Sequence, residues 1–306
     1  MTEEVGVSGE RHVTVDVWGS PTGMPVFLMH GTPGSRSGPL PRPSVLYRLG
    51  IRLICYDRPG YGGSSRFRGR NVAAAADDVR AIADALGIDS FGVVGRSGGG
   101  PHALACAALL GDRVQSAAVL VGLAPSDAED LQWYDGMSRS NVLEYNNADS
   151  DPETFTTALM CRAQQIRDDP ETLLRVLQPE LTGSDRRVVD DVAIRRLLTD
   201  TYAEALRDGA DGWIDDVLAL RCPWGFEVSD VKAPVFLWHG EDDMLSPVGH
   251  TNWLADHLPD PYPVVQRDAA HFGAVEILPR ALAWVKEACG SERSRIKGAH
   301  QPALST

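Results

Sequence analysis

Cysteine is scarce and scattered in this chain of 306 residues. Cys55, Cys106, Cys161, Cys222 and Cys289 are an odd number with no CxxC pair. Such spacing offers neither a disulfide framework nor a zinc site. Cys55 and Cys106 sit in apolar runs and read as small core residues, which suits a reducing compartment. Positive charge is also short: 29 Lys and Arg stand against 42 Asp and Glu, a formal net charge of −13. That balance repels polyanions on average and argues against a nucleic-acid partner. Short basic clusters such as RFRGR at 66–70 read as solvated loop charge. No run of 18 apolar residues exists, so no membrane span is expected. The stretch MTEEVGVSGE is acidic and has no apolar centre, so no secretory signal is expected either. The expected location is the cytoplasm.

What is present is ordinary in bulk and specific in pattern. Hydrophobic residues make up 43% and charged residues 23%, a globular composition. HVTVDVWG (12–19) alternates apolar and polar, as a half-buried strand does. MPVFLMHG (24–31), IRLICYD (51–57), SFGVVG (90–95), QSAAVLVG (115–122), APVFLWHG (233–240) and YPVVQR (262–267) read as further strands, mostly buried on both faces. Helical spacing lies between them at 72–88, 101–111, 249–258 and 273–289, the last expected to bend or restart at Pro279. Strand–helix alternation argues for a parallel sheet covered on both faces. From Ser126 to Val231 the rhythm changes to charged, aromatic-dotted helices, and then it resumes. The expected organisation is a core of 1–125 and 232–289, a helical insertion at 126–231, and a polar, disordered tail at 290–306.

The chemistry is signalled at VVGRSGGGPHALA (93–105). A strand runs through Gly95-Arg96-Ser97-Gly98-Gly99 into a small-residue helix. A sharp turn of this kind exposes the serine at the sheet edge and needs small neighbours for close backbone approach. The plainer alternative is a glycine-rich turn whose serine caps the helix. A serine hydroxyl needs a base, and the base needs a carboxylate. The expected chain order is Ser, acid, His. Asp243 follows PVFLWHG and His271 follows YPVVQR, both at strand ends, where open α/β sheets place their ligand sites. Asp127 is the main alternative acid, with Glu241 and Asp242 adjacent to Asp243. His30 and His239 precede glycines at strand ends and read as structural. Oxyanion donors are expected from the N–H groups of Gly98 and of Thr32 in HGTPGS. Candidate substrate-binding residues are Trp133, Trp213 and Trp224 from the insertion, with His102 at the site edge.

The segments MHGTPGS, YDRPGYGGSS, VVGRSGGGPHALA, WHGEDDMLSP and DAAHFG are spread over nearly the whole core. Jointly they resemble the α/β-hydrolase superfamily, in its lid-bearing serine esterase and prolyl-iminopeptidase-like branch. The resemblance implies an α/β-hydrolase fold: an eight-stranded, mostly parallel sheet flanked by helices, with a helical cap inserted after the sixth strand. It implies no cofactor and no metal, a small-molecule substrate, and a monomer or homodimer. Ser97 stands where epoxide hydrolases and haloalkane dehalogenases of this superfamily carry aspartate, which disfavours both. Thr32 stands where prolyl iminopeptidases usually have a second glycine. The function implied is hydrolysis of a small or medium carboxylic ester or lactone through an acyl-enzyme. The alternatives are an amide, peptide or carbon–carbon bond hydrolase, and a non-catalytic binding protein on the same scaffold.

Overall fold

Each apolar run becomes a strand, and all the strands join one sheet. The computed structural model describes residues 2–298. In chain order the elements are β1 (Thr2–Val7), β2 (Arg11–Gly19), β3 (Met24–Met29), α1 (Pro43–Leu49), β4 (Ile51–Tyr56), α2 (Ala74–Ala85), β5 (Phe91–Arg96), α3 (Gly99–Leu109) and β6 (Val114–Leu120). Six helices follow: α4 (Arg139–Ser150), α5 (Pro152–Asp168), α6 (Thr172–Leu177), α7 (Gly183–Val189), α8 (Val192–Ala205) and α9 (Asp211–Arg221). The alternation returns with β7 (Val235–Gly240), α10 (Gly249–His257), β8 (Pro261–Gln266) and α11 (Gly273–Gly298).

The sheet order is β1-β2-β4-β3-β5-β6-β7-β8. β1 and β2 pair antiparallel, as do β2 and β4, and the remaining pairs are parallel. Helices cover both faces. Leu46 of α1 and Ala274, Leu278, Ala281, Leu282 and Val285 of α11 pack on one side. Val79 and Ile82 of α2, the alanines of α3, and Leu254 of α10 pack on the other. The small residues of α3 let it lie close on the strands: a Cβ on Gly100 would stand 2.8 Å from the Val119 side chain.

Two elements differ from expectation. β1 pairs with β2 but shows a mostly exposed, acidic face, so it carries no buried apolar run to betray it. α11 runs through Pro279 without restarting and continues to Gly298, into the segment expected as a disordered tail. The rest of that segment, 299–306, lies outside the described residues. The helices α4 to α9 build a core of their own around Phe155, Ile166, Leu198, Trp213 and Val217. That core takes in Tyr61, Leu245 and Phe272 from loops at the carboxyl edge of the sheet. The inserted helices therefore roof the sheet edge where ligand sites of open α/β sheets form.

Candidate active site

Ser97 lies between β5 and α3 with φ +53°, a left-handed conformation that is uncommon away from glycine. Its own N–H donates to the Leu120 carbonyl at 2.8 Å, and its carbonyl accepts from Gly100 at 2.8 Å, which hold the turn. The turn also excludes Cβ atoms around it. One on Gly95 would stand 2.7 Å from the Gly100 Cα, and one on Gly98 would stand 2.8 Å from the Thr32 Cβ. Neither the Gly98 nor the Thr32 N–H donates to another of the described residues. Both residues, with Ser97, line one cavity of about 110 Å³ beneath the inserted helices.

His271, in the loop between β8 and α11, lines the same cavity. Its Nδ1 is 2.8 Å from Asp243 Oδ2, which leaves Nε2 for the cavity side. Asp243 follows β7 and is 4% exposed. Its Oδ1 accepts from the N–H groups of Leu245 and Ser246 at 2.8 and 3.0 Å, and His239 Nε2 lies 3.3 Å from its Oδ2. Burial alone would raise the Asp243 pKa. The charge of His271 and hydrogen bonds from His239 and His271 outweigh burial and hold the carboxyl well below its ordinary range. Burial likewise presses on His271, but Asp243, and then Asp185, raise it above the ordinary 6.5. The structure thus joins Asp243 to His271 by a hydrogen bond and brings Ser97, Thr32 and Gly98 to the same cavity. Asp127, the alternative acid, is exposed on the loop after β6, and Asp242 accepts from Ser184 at the surface. Among the described residues no three His, Cys, Asp or Glu side chains are grouped to hold a metal ion.

The candidate substrate-binding residues divide. Trp213 lines the cavity; Trp133, Trp224 and His102 do not. The Trp133 indole N–H donates to the Ala124 carbonyl at 3.1 Å, and its ring packs edge-on against Tyr145 and His250. Trp224 stacks on Phe226 within the main core. His102 turns back along α3 to the Gly98 carbonyl at 2.8 Å. Burial and the nearby Arg58 push its pKa down to about 3, so it is a neutral core side chain. In place of these residues the wall holds Tyr145, Tyr202, Leu198, Val217 and the ion pair Arg162–Glu144, whose atoms are 2.9 Å apart.

Two carboxylates from the insertion hold the site loops, and sequence reasoning passed over both. Asp216 of α9 receives Arg58 at 2.5 Å, Arg70 at 2.6 Å, the Tyr61 hydroxyl at 2.9 Å and the Thr32 hydroxyl at 2.7 Å. Arg58 in turn donates to the carbonyls of His30 and Gly31. The loop carrying Thr32 is thereby tied to the inserted helices. Burial would raise Asp216, but Arg58 and Arg70 hold it well below the usual carboxylate range. Asp185 of α7 accepts the Phe272 N–H at 2.7 Å and so grips the loop carrying His271. Among 42 acidic residues no local signal distinguishes these two, because their partners are distant in the chain.

A family model described as the alpha/beta hydrolase fold matches residues 24–276. The chain is 25% identical over 236 residues to a bifunctional esterase/perhydrolase of Acinetobacter calcoaceticus, covering 75% of this chain and 78% of that one. It is 33% identical over 238 residues to a non-heme haloperoxidase of Rhodococcus erythropolis, covering 76% and 79%. Among solved structures it superposes on a thermophilic esterase from Thermogutta terrifontis with a TM-score of 0.66 at 22% identity, covering 94% and 97%.

Proposed function

The chain belongs to the alpha/beta-hydrolase-fold family, and on that premise we propose that it is a serine hydrolase cleaving a small or medium carboxylic ester or lactone. The observation that carries this reading is one cavity. It holds a serine on a strained turn, a histidine already bonded to a buried carboxylate, and two N–H groups without acceptors among the described residues. The names of the relatives support ester cleavage. The cavity, at about 110 Å³, suits a small acyl group. The helices α4 to α9 serve as its cap.

In this mechanism His271 Nε2 takes the proton of Ser97 as Oγ attacks the carbonyl carbon. The oxyanion that forms is held by the N–H groups of Thr32 and Gly98. Asp243 keeps the imidazole in one tautomer and stabilises the imidazolium. Collapse of the tetrahedral intermediate breaks the ester C–O bond, and His271 gives its proton to the leaving alcohol. Water, deprotonated by His271, then attacks the acyl-enzyme, and the acid departs with Ser97 restored. The base works as neutral imidazole, so kcat/KM falls as pH drops through a value above 6.5.

The test is labelling with a fluorophosphonate probe, followed by peptide mapping, beside turnover of an activated ester. We expect one adduct, on Ser97. We expect Ser97→Ala and His271→Ala each to lower kcat on the order of 10⁶-fold. A folded wild-type protein that takes no label and turns over no ester, or a Ser97→Ala protein that keeps its turnover, would overturn the proposal.

A further inference from the structure

The cavity contains a cation that the mechanism does not use. Arg96 precedes Ser97 at the end of β5 and lines the cavity wall. Strand alternation turns it to the side of Val94, toward α11, where Tyr202 of α8 and Val275 also line the wall. Among the described residues, none accepts a hydrogen bond from its guanidinium or forms an ion pair with it. The contrast with its neighbours is sharp. Arg162, in the same wall, has Glu144, and Arg58, just past the end of β4, has Asp216. Tyr202 lines the cavity as well, and its hydroxyl has no hydrogen-bond partner among the described residues.

A guanidinium cannot shed its proton at working pH, so this charge must be carried. Burial lowers the Arg96 pKa with no carboxylate to offset it. Tyr202 is pushed up to about 12 by burial, which keeps it a hydroxyl donor. Arg96 and Tyr202 thus line one cavity with the serine, and Arg96 brings to it a cation with no counterion among the described residues. An arginine fork matches a carboxylate bidentately. The chain's net charge of −13 does not oppose this at close range, because surface charges are screened over about 8 Å at physiological salt.

We propose that Arg96, with the Tyr202 hydroxyl, is a carboxylate-recognition site, and that the substrate is a small ester bearing a free carboxylate, as in the half-ester of a dicarboxylic acid. This rests on the ester-hydrolase reading of the same cavity. The ester carbonyl meets Ser97 while the free carboxylate replaces the missing counterion of Arg96. The product is then a dicarboxylate, held at the same cation until release.

The test compares monomethyl esters of succinate, glutarate and adipate with the corresponding dimethyl esters, measured by acid release in a pH-stat. We expect wild type to prefer the half-ester in kcat/KM. We expect Arg96→Gln to reduce that preference by about thirtyfold or more. Tyr202→Phe should reduce it by about three- to tenfold. Arg96→Lys, which keeps charge but not the fork, should fall between wild type and Arg96→Gln. Glutarate should inhibit dimethyl-ester turnover competitively in wild type and far more weakly in Arg96→Gln. Circular-dichroism melts confirm that each variant is folded. A wild type that turns over dimethyl esters as well as half-esters, or a preference unchanged in folded Arg96→Gln and Arg96→Lys, overturns the inference and leaves the hydrolase reading standing. If no ester is turned over, the hydrolase reading falls. Calorimetric binding of glutarate to wild type, lost in Arg96→Gln, then supports the carboxylate site alone, and its absence overturns that too.

Discussion

Asp216 and Asp185 leave the same set of inserted helices and reach the same edge of the sheet, yet they sit in opposite electrostatic settings. Asp216 is fully buried among Arg58, Arg70, Tyr61 and Thr32 and is held ionised. Asp185 is 1% exposed and has no guanidinium partner among the described residues. It faces His271, Asp243 and the N–H groups of His271 and Phe272, and burial pushes it up to about 6. The first carboxylate is a fixed tie to the loop carrying Thr32 at any moderate pH. The second is a tie to the histidine loop whose charge changes near neutrality. One set of inserted helices therefore holds the two loops of the cavity by bonds of different pH response.

The largest expected effect comes from removing the fixed tie. Asp216→Asn leaves Arg58 and Arg70 buried without their anion, at a cost of about 3–5 kcal/mol. Thermal and urea unfolding measure it, and a variant as stable as wild type would mean that the arginines find solvent.

Asp185→Asn tests the other side. A carboxyl raised above 3.8 makes the folded state bind protons more tightly than the unfolded one. Its contribution to stability is therefore greatest at low pH and is lost as pH rises from about 4 through about 6. The amide keeps the acceptor for Phe272, so the variant should lack this slope and gain roughly 2–3 kcal/mol on wild type above that window. Removing this anion also lowers the His271 pKa, so the acidic limb of kcat/KM should move to lower pH. Melts and rate profiles across pH 4–8 read both effects; profiles that overlay wild type would erase the distinction between the two carboxylates.

The smallest effect sharpens the comparison. Tyr61→Phe removes one of several donors to Asp216 and should cost about 1 kcal/mol with no change in the pH dependence of stability. A pH slope appearing in this variant would show that Asp216 is held by the hydroxyl more than by the arginines.

Much of this architecture was legible from local pattern. Buried runs such as MPVFLM and FGVVGR have a composition that only a doubly covered strand needs, and they are strands. The glycines around Ser97 announced a turn too tight for side chains, and the Cβ distances there agree. Asp243 and His271 could be placed at strand ends because each follows an apolar run, and a hydrogen bond joins them. What was not legible depends on pairings far apart in the chain. Asp216 meets Arg58 across 158 positions, and Asp185 meets Phe272 across 87. Trp133 and Trp224 looked like pocket walls because aromatics in an inserted segment have two uses, and nothing local separates core from lining. Arg96 was in plain view inside the quoted motif. Its lack of a partner among the described residues is a property of three dimensions only.

The inserted helices leave the sheet after Leu120 and return at Val235, between two strands that pair with each other, Leu120 opposite Trp238. β6 and β7 are parallel, so the chain leaves at one edge of the sheet and enters β7 from the other. But the Ser126 hydroxyl donates to the Arg221 carbonyl at 2.9 Å, so the helical block itself begins and ends side by side and is in evolutionary terms an exchangeable part. Its length and helix count can drift while the register of β6 on β7 stays as it is, and substrate choice can change with the roof alone. One constraint limits that freedom: Arg58 and Arg70 belong to the core, and Asp216 belongs to the insertion. Any replacement must bring an anion to the same place, or the core must lose its two arginines in the same lineage.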